Sequence, residues 1–262
     1  MKKTTLFLIL STLSLPYLEA GNRSLEKEQN LTMGKMSHFS SQLRECRLVV
    51  QQLTRNNDNV MRQFNSFSNE LTKVYLSEEK SFSQEEERLF KAILFAANKH
   101  RLQTRKDAKQ TPYIIHPLGV ANYLITVGKM RDPDVIIGAL LHDTVEDTET
   151  SFEEIEHHFG KRVALLVGEV TDDKSLEKQV RKQLQVLHAP KKSPGAAHIK
   201  LADKLYNLTD LSTSPPDDWT LERIDAYFQW AESVVNGLPS VNTPLKEAVD
   251  QVIRSYWEKR PL

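Results

Sequence analysis

Apolar residues recur at helical spacing along most of the chain. Leu43, Cys46, Val50 and Leu53 form one stripe, and Val60, Met61, Phe64, Phe67, Leu71 and Val74 form another. Polar "RNNDN" at 55–59 separates them, which predicts two amphipathic helices. Residues 21–40 are polar and read as a linker, and the Ser- and Glu-rich run "SEEKSFSQEEE" reads as a boundary. Within it Ser83 is a candidate N-cap, with Glu86 three residues on. From Gln84 onward one helical pattern follows another. Leu89, Ile93, Phe95 and Ala96 fit one helix, and Val120, Leu124 and Val127 fit another entered through His116-Pro117. Ser151 with Glu154 forms a capping box, and Gly160 separates that segment from the next apolar turn. No alternation of period two is long enough for a sheet, and no repeat is visible. The expectation is an all-α, multi-helix bundle over 84–262, preceded by a linker and helical extension over 21–83. That extension is a surface for packing on the main domain or for self-association.

The first twenty residues differ in kind. "MKKTTLFLILSTLSLPYLEA" places Lys2 and Lys3 before an apolar run from Leu6 to Leu18, with the small Ala20 at its end. These are the three parts of a secretory signal, too short and too interrupted by Pro16 to span a bilayer. The expectation is a cleaved signal over 1–20 and an exported (periplasmic or secreted) chain with no stable membrane span, the alternative being a cytoplasmic protein. Composition narrows the partners. Lys and Arg number 35, as do Asp and Glu, so a general coat for nucleic acid or membrane is not indicated. Cys46 is the one cysteine, which excludes an intramolecular disulfide and a cysteine-based zinc site.

The densest group of ionisable residues follows the most apolar run. In "GALLHDTVEDTETS" leucines lead directly into His142, Asp143, Glu146, Asp147 and Glu149. Read as one helix over 136–149, this places Glu146 and Asp147 one turn beyond His142 and Asp143 on the same side. A His-Asp pair backed by carboxylates suits a metal ion with a water-orienting base beside it. Two further ligands are available: His116, just before Pro117, and Asp203, inside the otherwise apolar-faced "HIKLADKLYNL", with Asn207 four residues later. Two imidazoles and two carboxylates favour Mn²⁺, Fe²⁺ or Zn²⁺ over Mg²⁺ or Ca²⁺. His157 and His158 read as exposed helix residues, and spacing gives His100, His188 and His198 no support. Lys99, Arg101, Arg105, Lys106 and Lys109 cluster in "KHRLQTRKDAK", and Lys174, Lys178, Arg181 and Lys182 in "DDKSLEKQVRK". In a neutral chain such clusters suit a polyphosphate, and with no Gly-rich phosphate loop the chemistry is not that of a P-loop.

The motifs "KHR…RKD", "TPYIIHPLGVA", "ALLHDTVEDT", "EVTDDKSL", "SPGAAHIKLADKLYNLTDL" and "YFQWA" together resemble the HD-family hydrolases of the RelA/SpoT type. The small, hydrolase-only metazoan SpoT homologues are the most similar group, and the likeness runs from about Ala96 to Leu238. It implies Mn²⁺-dependent hydrolysis of guanosine tetra- and pentaphosphate, the alarmones of the stringent response, to GDP or GTP and pyrophosphate. It further implies His116, His142, Asp143 and Asp203 as metal ligands, Glu146 and Asp147 on the water, and Asn207 ordering the same corner. Arg105 and Lys106 would meet the substrate phosphates, with Lys178 and Tyr227 as further substrate contacts. The expectation is a hydrolase without the synthetase domain of the long family members. The signal-like N-terminus is the departure from the family. It leaves two alternatives: another nucleotide phosphatase, NADPH 2′-phosphatase first, or an exported binding protein with a vestigial site.

Overall fold

The computed structural model describes residues 39–76 and 84–260. The expected signal, residues 21–38 of the expected linker and the Ser83 cap lie outside them, while residues 39–40 of that linker are helical. Among the described residues the chain is helical, with a single isolated bridge between Thr104 and Pro112 and no strand. The all-α expectation holds. Helix α1 covers 39–53 and α2 Asp58–Leu76, and the turn between them holds Arg55 and Asn56 at positive φ. Then follow α3 Gln84–Lys99, α4 Ile115–Thr126, α5 Pro133–Leu141, α6 Thr144–Asp147, α7 Phe152–Phe159 and α8 Lys161–Val170. The series closes with α9 Lys178–His188, α10 Pro194–Thr213, α11 Leu221–Gly237 and α12 Thr243–Glu258.

Local chemistry starts these helices where the sequence punctuates them. Asp132 accepts from the Asp134 amide ahead of α5, Ser151 from Glu154 ahead of α7, and Ser193 from Ala196 ahead of α10. Pro133 and Pro194 occupy first-turn positions where no amide donor is needed. Gly160, at φ +90°, makes the corner between α7 and α8 that a side chain would strain.

Helix α5 is apolar all round and buried from Val135 to Leu141, as expected of a central helix. It is flanked by α3, α4 and α8, while α10 packs against α4, α5, α8 and α12. The extension packs on the main domain, one of its two expected roles: Cys46, Val50, Phe64, Phe67 and Leu71 belong to the same buried core as α4 and α5. Truncating a buried side chain such as Phe67 to alanine should cost about 3–5 kcal/mol. No helix of the described residues is long and apolar enough to cross a membrane.

Candidate metal centre

Three helices of this core converge on one corner. His116 enters from the first turn of α4, His142 and Asp143 from the end of α5, and Asp203 from the middle of α10. The expected single helix over 136–149 is not what forms. Helix α5 stops at Leu141, and α6 begins only at Thr144. Side chains take up the carbonyls at the break: His142 Nδ1 donates to Ala139 O at 2.7 Å, and Thr144 Oγ1 donates to Leu141 O at 2.7 Å. Asp143 sits at φ −99°, ψ −3°, a sparsely populated region common at functional sites.

The corner is tightly drawn. His116 Nε2 and His142 Nε2 face each other at 3.2 Å. Asp143 Oδ2 stands 3.4 Å from the first and 3.1 Å from the second, and Asp203 Oδ1 stands 3.4 Å and 3.8 Å from them. One ligand atom from each of His116, His142 and Asp143 lies within 4.8 Å of the others. Donors bound at about 2.0–2.2 Å around one ion are separated by roughly 3.0–3.5 Å, so this spacing fits a first coordination shell. The tautomer fits too. With its Nδ1 proton committed to Ala139, His142 has Nε2 as the nitrogen that would give up its proton and face an ion at the corner. The residues present therefore suit a divalent cation of borderline softness.

Electrostatics bind the corner together. Burial alone would push the His142 pKa down, but Asp143 and Asp203 outweigh it and raise it to about 9. Burial would likewise raise Asp143, yet His142 and His116 hold it well below the usual carboxylate range. Asp203 is also held low, with Lys204 the main partner opposing burial. Lys204 Nζ lies 3.0 Å from Asp203 Oδ2, and Asn207 Nδ2 donates to Asp203 Oδ1 at 2.6 Å.

Beyond the break, Glu146 and Asp147 are successive residues of α6 and meet different partners. Glu146 Oε2 accepts from the Asp172 amide at 3.1 Å and Oε1 lies 3.7 Å from Arg181; burial raises its pKa. Asp147 instead lines a cleft of about 440 Å³ beside the corner, with Arg105, Lys106, Tyr113, Asn207 and Tyr227. Arg105 pairs with Asp210 at 2.6 Å and donates to Asn207 Oδ1 at 3.2 Å, while Lys106 is exposed. Lys178 is outside that lining, exposed at the start of α9. Partial desolvation, then Arg223, Lys106 and Arg181, lower its pKa, so cations gather at the cleft's edge.

Several site residues escaped the sequence reading. The Tyr113 hydroxyl donates to Asp143 Oδ2 at 2.6 Å, and burial followed by Asp143 keeps it protonated to unusually high pH. Its place in "TPYIIHP", three residues before His116, was the available signal. Tyr206 lies with its ring centroid 5.0 Å from that of His116, and Gly119 makes this possible, since a Cβ there would meet Tyr206 Cε2 at 1.9 Å. His100, set aside on spacing, is 1% exposed beside Tyr113. Lys204, adjacent to Asp203 in an apolar-faced helix, is 3% exposed, its Nζ 4.6 Å from the Trp230 ring.

The HD domain family matches residues 92–225, the span that holds all four corner residues. Human guanosine-3′,5′-bis(diphosphate) 3′-pyrophosphohydrolase MESH1 is 53% identical over 166 residues, covering 63% of this chain and 93% of the relative. The chain belongs to the HD-domain family, in its MESH1 branch. The Drosophila melanogaster MESH1 is 49% identical over 64% of this chain and 93% of its own length. A bifunctional (p)ppGpp synthase/hydrolase SpoT of Escherichia coli is 32% identical over 68% of this chain, but only 25% of its own length is covered. Among solved structures, that of a metazoan SpoT ortholog described as hydrolysing ppGpp superposes with a TM-score of 0.63. It is 49% identical and covers 64% of this chain and 94% of that one.

Proposed function

We propose that this chain is a metal-dependent hydrolase of guanosine 3′,5′-bis(diphosphate) and its pentaphosphate analogue, releasing pyrophosphate from the 3′ position to leave GDP or GTP. The observation that carries the reading is the four-residue corner of His116, His142, Asp143 and Asp203 opening beside a cation-edged cleft. The MESH1 relatives, matched over nearly their whole length, support the substrate. The vestigial-site alternative loses ground, because no member of the corner is missing.

Mn²⁺ is the proposed ion, held by those four side chains. When bound it supplies Lewis acidity and lowers the pKa of a coordinated water. Asp147, which lines the cleft, is assigned to accept a proton from the attacking water. The water oxygen forms a bond to the 3′-attached phosphorus as the bond to the ribose 3′ oxygen breaks, and that oxygen leaves with the electron pair and takes up the proton that Asp147 received. Glu146, anchored on the Asp172 amide, is assigned to the water's other side. Asn207 keeps Asp203 oriented while linking it to Arg105. Arg105, Lys106 and Lys178 are assigned to the phosphates, and Tyr227, in the cleft wall, to the nucleoside. From Lys2, Lys3 and the Leu6–Leu18 run we further propose export with cleavage near Gly21. An intact N-terminus on cytosolic protein, read by mass spectrometry, would refute it.

A substrate panel tests the activity. Guanosine tetraphosphate should yield pyrophosphate faster than NADPH yields phosphate, and the reverse order would favour the phosphatase reading.

A further inference from the structure

Asp147 is gripped from two directions, and they are unequal. On the outside Lys174 pairs with Oδ1, from a side chain 49% exposed; such a pair is mobile and screened by salt. On the inside Gln103 Nε2 donates to Oδ2 at 3.0 Å. Gln103 is itself fixed, because its Oε1 lies 2.8 Å from His100 Nδ1. An ionised carboxylate only accepts, so the amide must turn its NH₂ group to Asp147 and its oxygen to His100. An amide oxygen also only accepts, so His100 carries its proton on Nδ1. The opposite nitrogen, Nε2, is buried with no hydrogen-bond partner among the described residues. His100 is thus a neutral imidazole with one committed proton, and burial, which lowers its pKa, keeps it neutral.

From this geometry we infer that His100 and Gln103 are positioning residues, acting in series to aim the Asp147 carboxylate at the reacting water. The inference rests on the role given to Asp147 above. The chemistry explains why the inner contact is an amide. A second cation there, beside the exposed Lys174, would favour the carboxylate's charged form further and weaken it as a base. A neutral amide orients it at less cost to its basicity. The tilted packing of His100 on Tyr113, at 4.9 Å between centroids, places the anchor beside a second residue that holds the metal corner.

The test uses the full chain with Mn²⁺ and guanosine tetraphosphate. Gln103→Met, which keeps length without a donor, should lower kcat about 10- to 100-fold, the range for losing an outer hydrogen-bond partner. KM should stay within about twofold, with metal content unchanged. His100→Phe, which retains the ring against Tyr113, should lower kcat by no more than Gln103→Met does. The double variant should be no slower than Gln103→Met alone. Multiplying losses, a KM effect without a kcat effect, or loss of metal would overturn the relay. If His100→Phe does not fold, Gln103→Met in the Asp147→Asn background decides: no additional loss supports the relay, and an undiminished loss refutes it. Asp147→Asn alone tests the underlying reading. Full activity there removes Asp147 from the mechanism, whereas an impaired Asp147→Asn beside an unaffected Gln103→Met removes only the relay.

Discussion

The metal corner and the cleft edge beside it are built from different material. In the corner each side chain is at most 18% exposed, and each carboxylate is held both by the residue next to it in sequence and by one from another helix or the next turn. At the edge Lys106, Lys174, Lys178 and Arg223 are exposed. Chemistry that needs fixed distances sits on helices locked by the core. Recognition of a flexible, highly charged substrate sits where side chains can adjust. Changes to the corner should therefore abolish turnover, whereas changes at the edge should alter affinity.

The largest effect should come from Asp203→Ala, which removes a ligand and leaves Lys204 buried without its partner. A loss of at least about a thousandfold in kcat is expected, since a bound metal contributes several kcal/mol and each 1.36 kcal/mol is tenfold. Metal content should fall in parallel, and retention of bound metal would break the assignment. Glu146→Gln and Asp147→Asn should each lower kcat about a hundredfold with metal retained. Their different surroundings, the Asp172 amide for one and the cleft for the other, make the pair informative. Glu146→Gln should keep its bond from the Asp172 amide, so a change in its melting temperature would point to a structural role instead.

Tyr113→Phe sharpens the boundary between the two regions, because Tyr113 belongs to both. Loss of its hydroxyl from Asp143 should weaken metal affinity about 10- to 100-fold, as measured by metal titration, with little change in KM at saturating metal. Replacing both Arg105 and Lys106 with alanine should raise KM about tenfold, the loss of roughly one charge-assisted contact, and leave the fold intact. Arg105 adds a complication that separate variants resolve. Its ion pair with Asp210 and its bond to Asn207 tie it to the corner, so Arg105→Ala should also touch kcat and Lys106→Ala should not.

The same contrast accounts for what the sequence made legible. Helices with a clean apolar stripe, such as α2, and starts punctuated by Ser151 or Gly160 formed where the pattern placed them. The four corner residues stood out because ionisable groups in apolar runs are conspicuous, and the family motifs singled out the same four. The break between Leu141 and Thr144 was hidden, since nothing in "LLHDTVED" disfavours a continuing helix. It arises from side-chain bonds of His142 and Thr144 to the carbonyls behind them. His100, Gln103 and Tyr113 were also hidden. Gln103 meets Asp147, and Tyr113 meets Asp143, across 44 and 30 residues of sequence, and periodicity carries no information about such pairings.

One measurement bears on the central claim most directly. The protein is stripped of metal by chelation, supplied with guanosine tetraphosphate, and reloaded with Mn²⁺ while GDP, phosphate and pyrophosphate are each quantified. The account predicts no turnover before reloading, then GDP and pyrophosphate in equal amounts. Release of single phosphates, or full activity in the stripped protein, would contradict it.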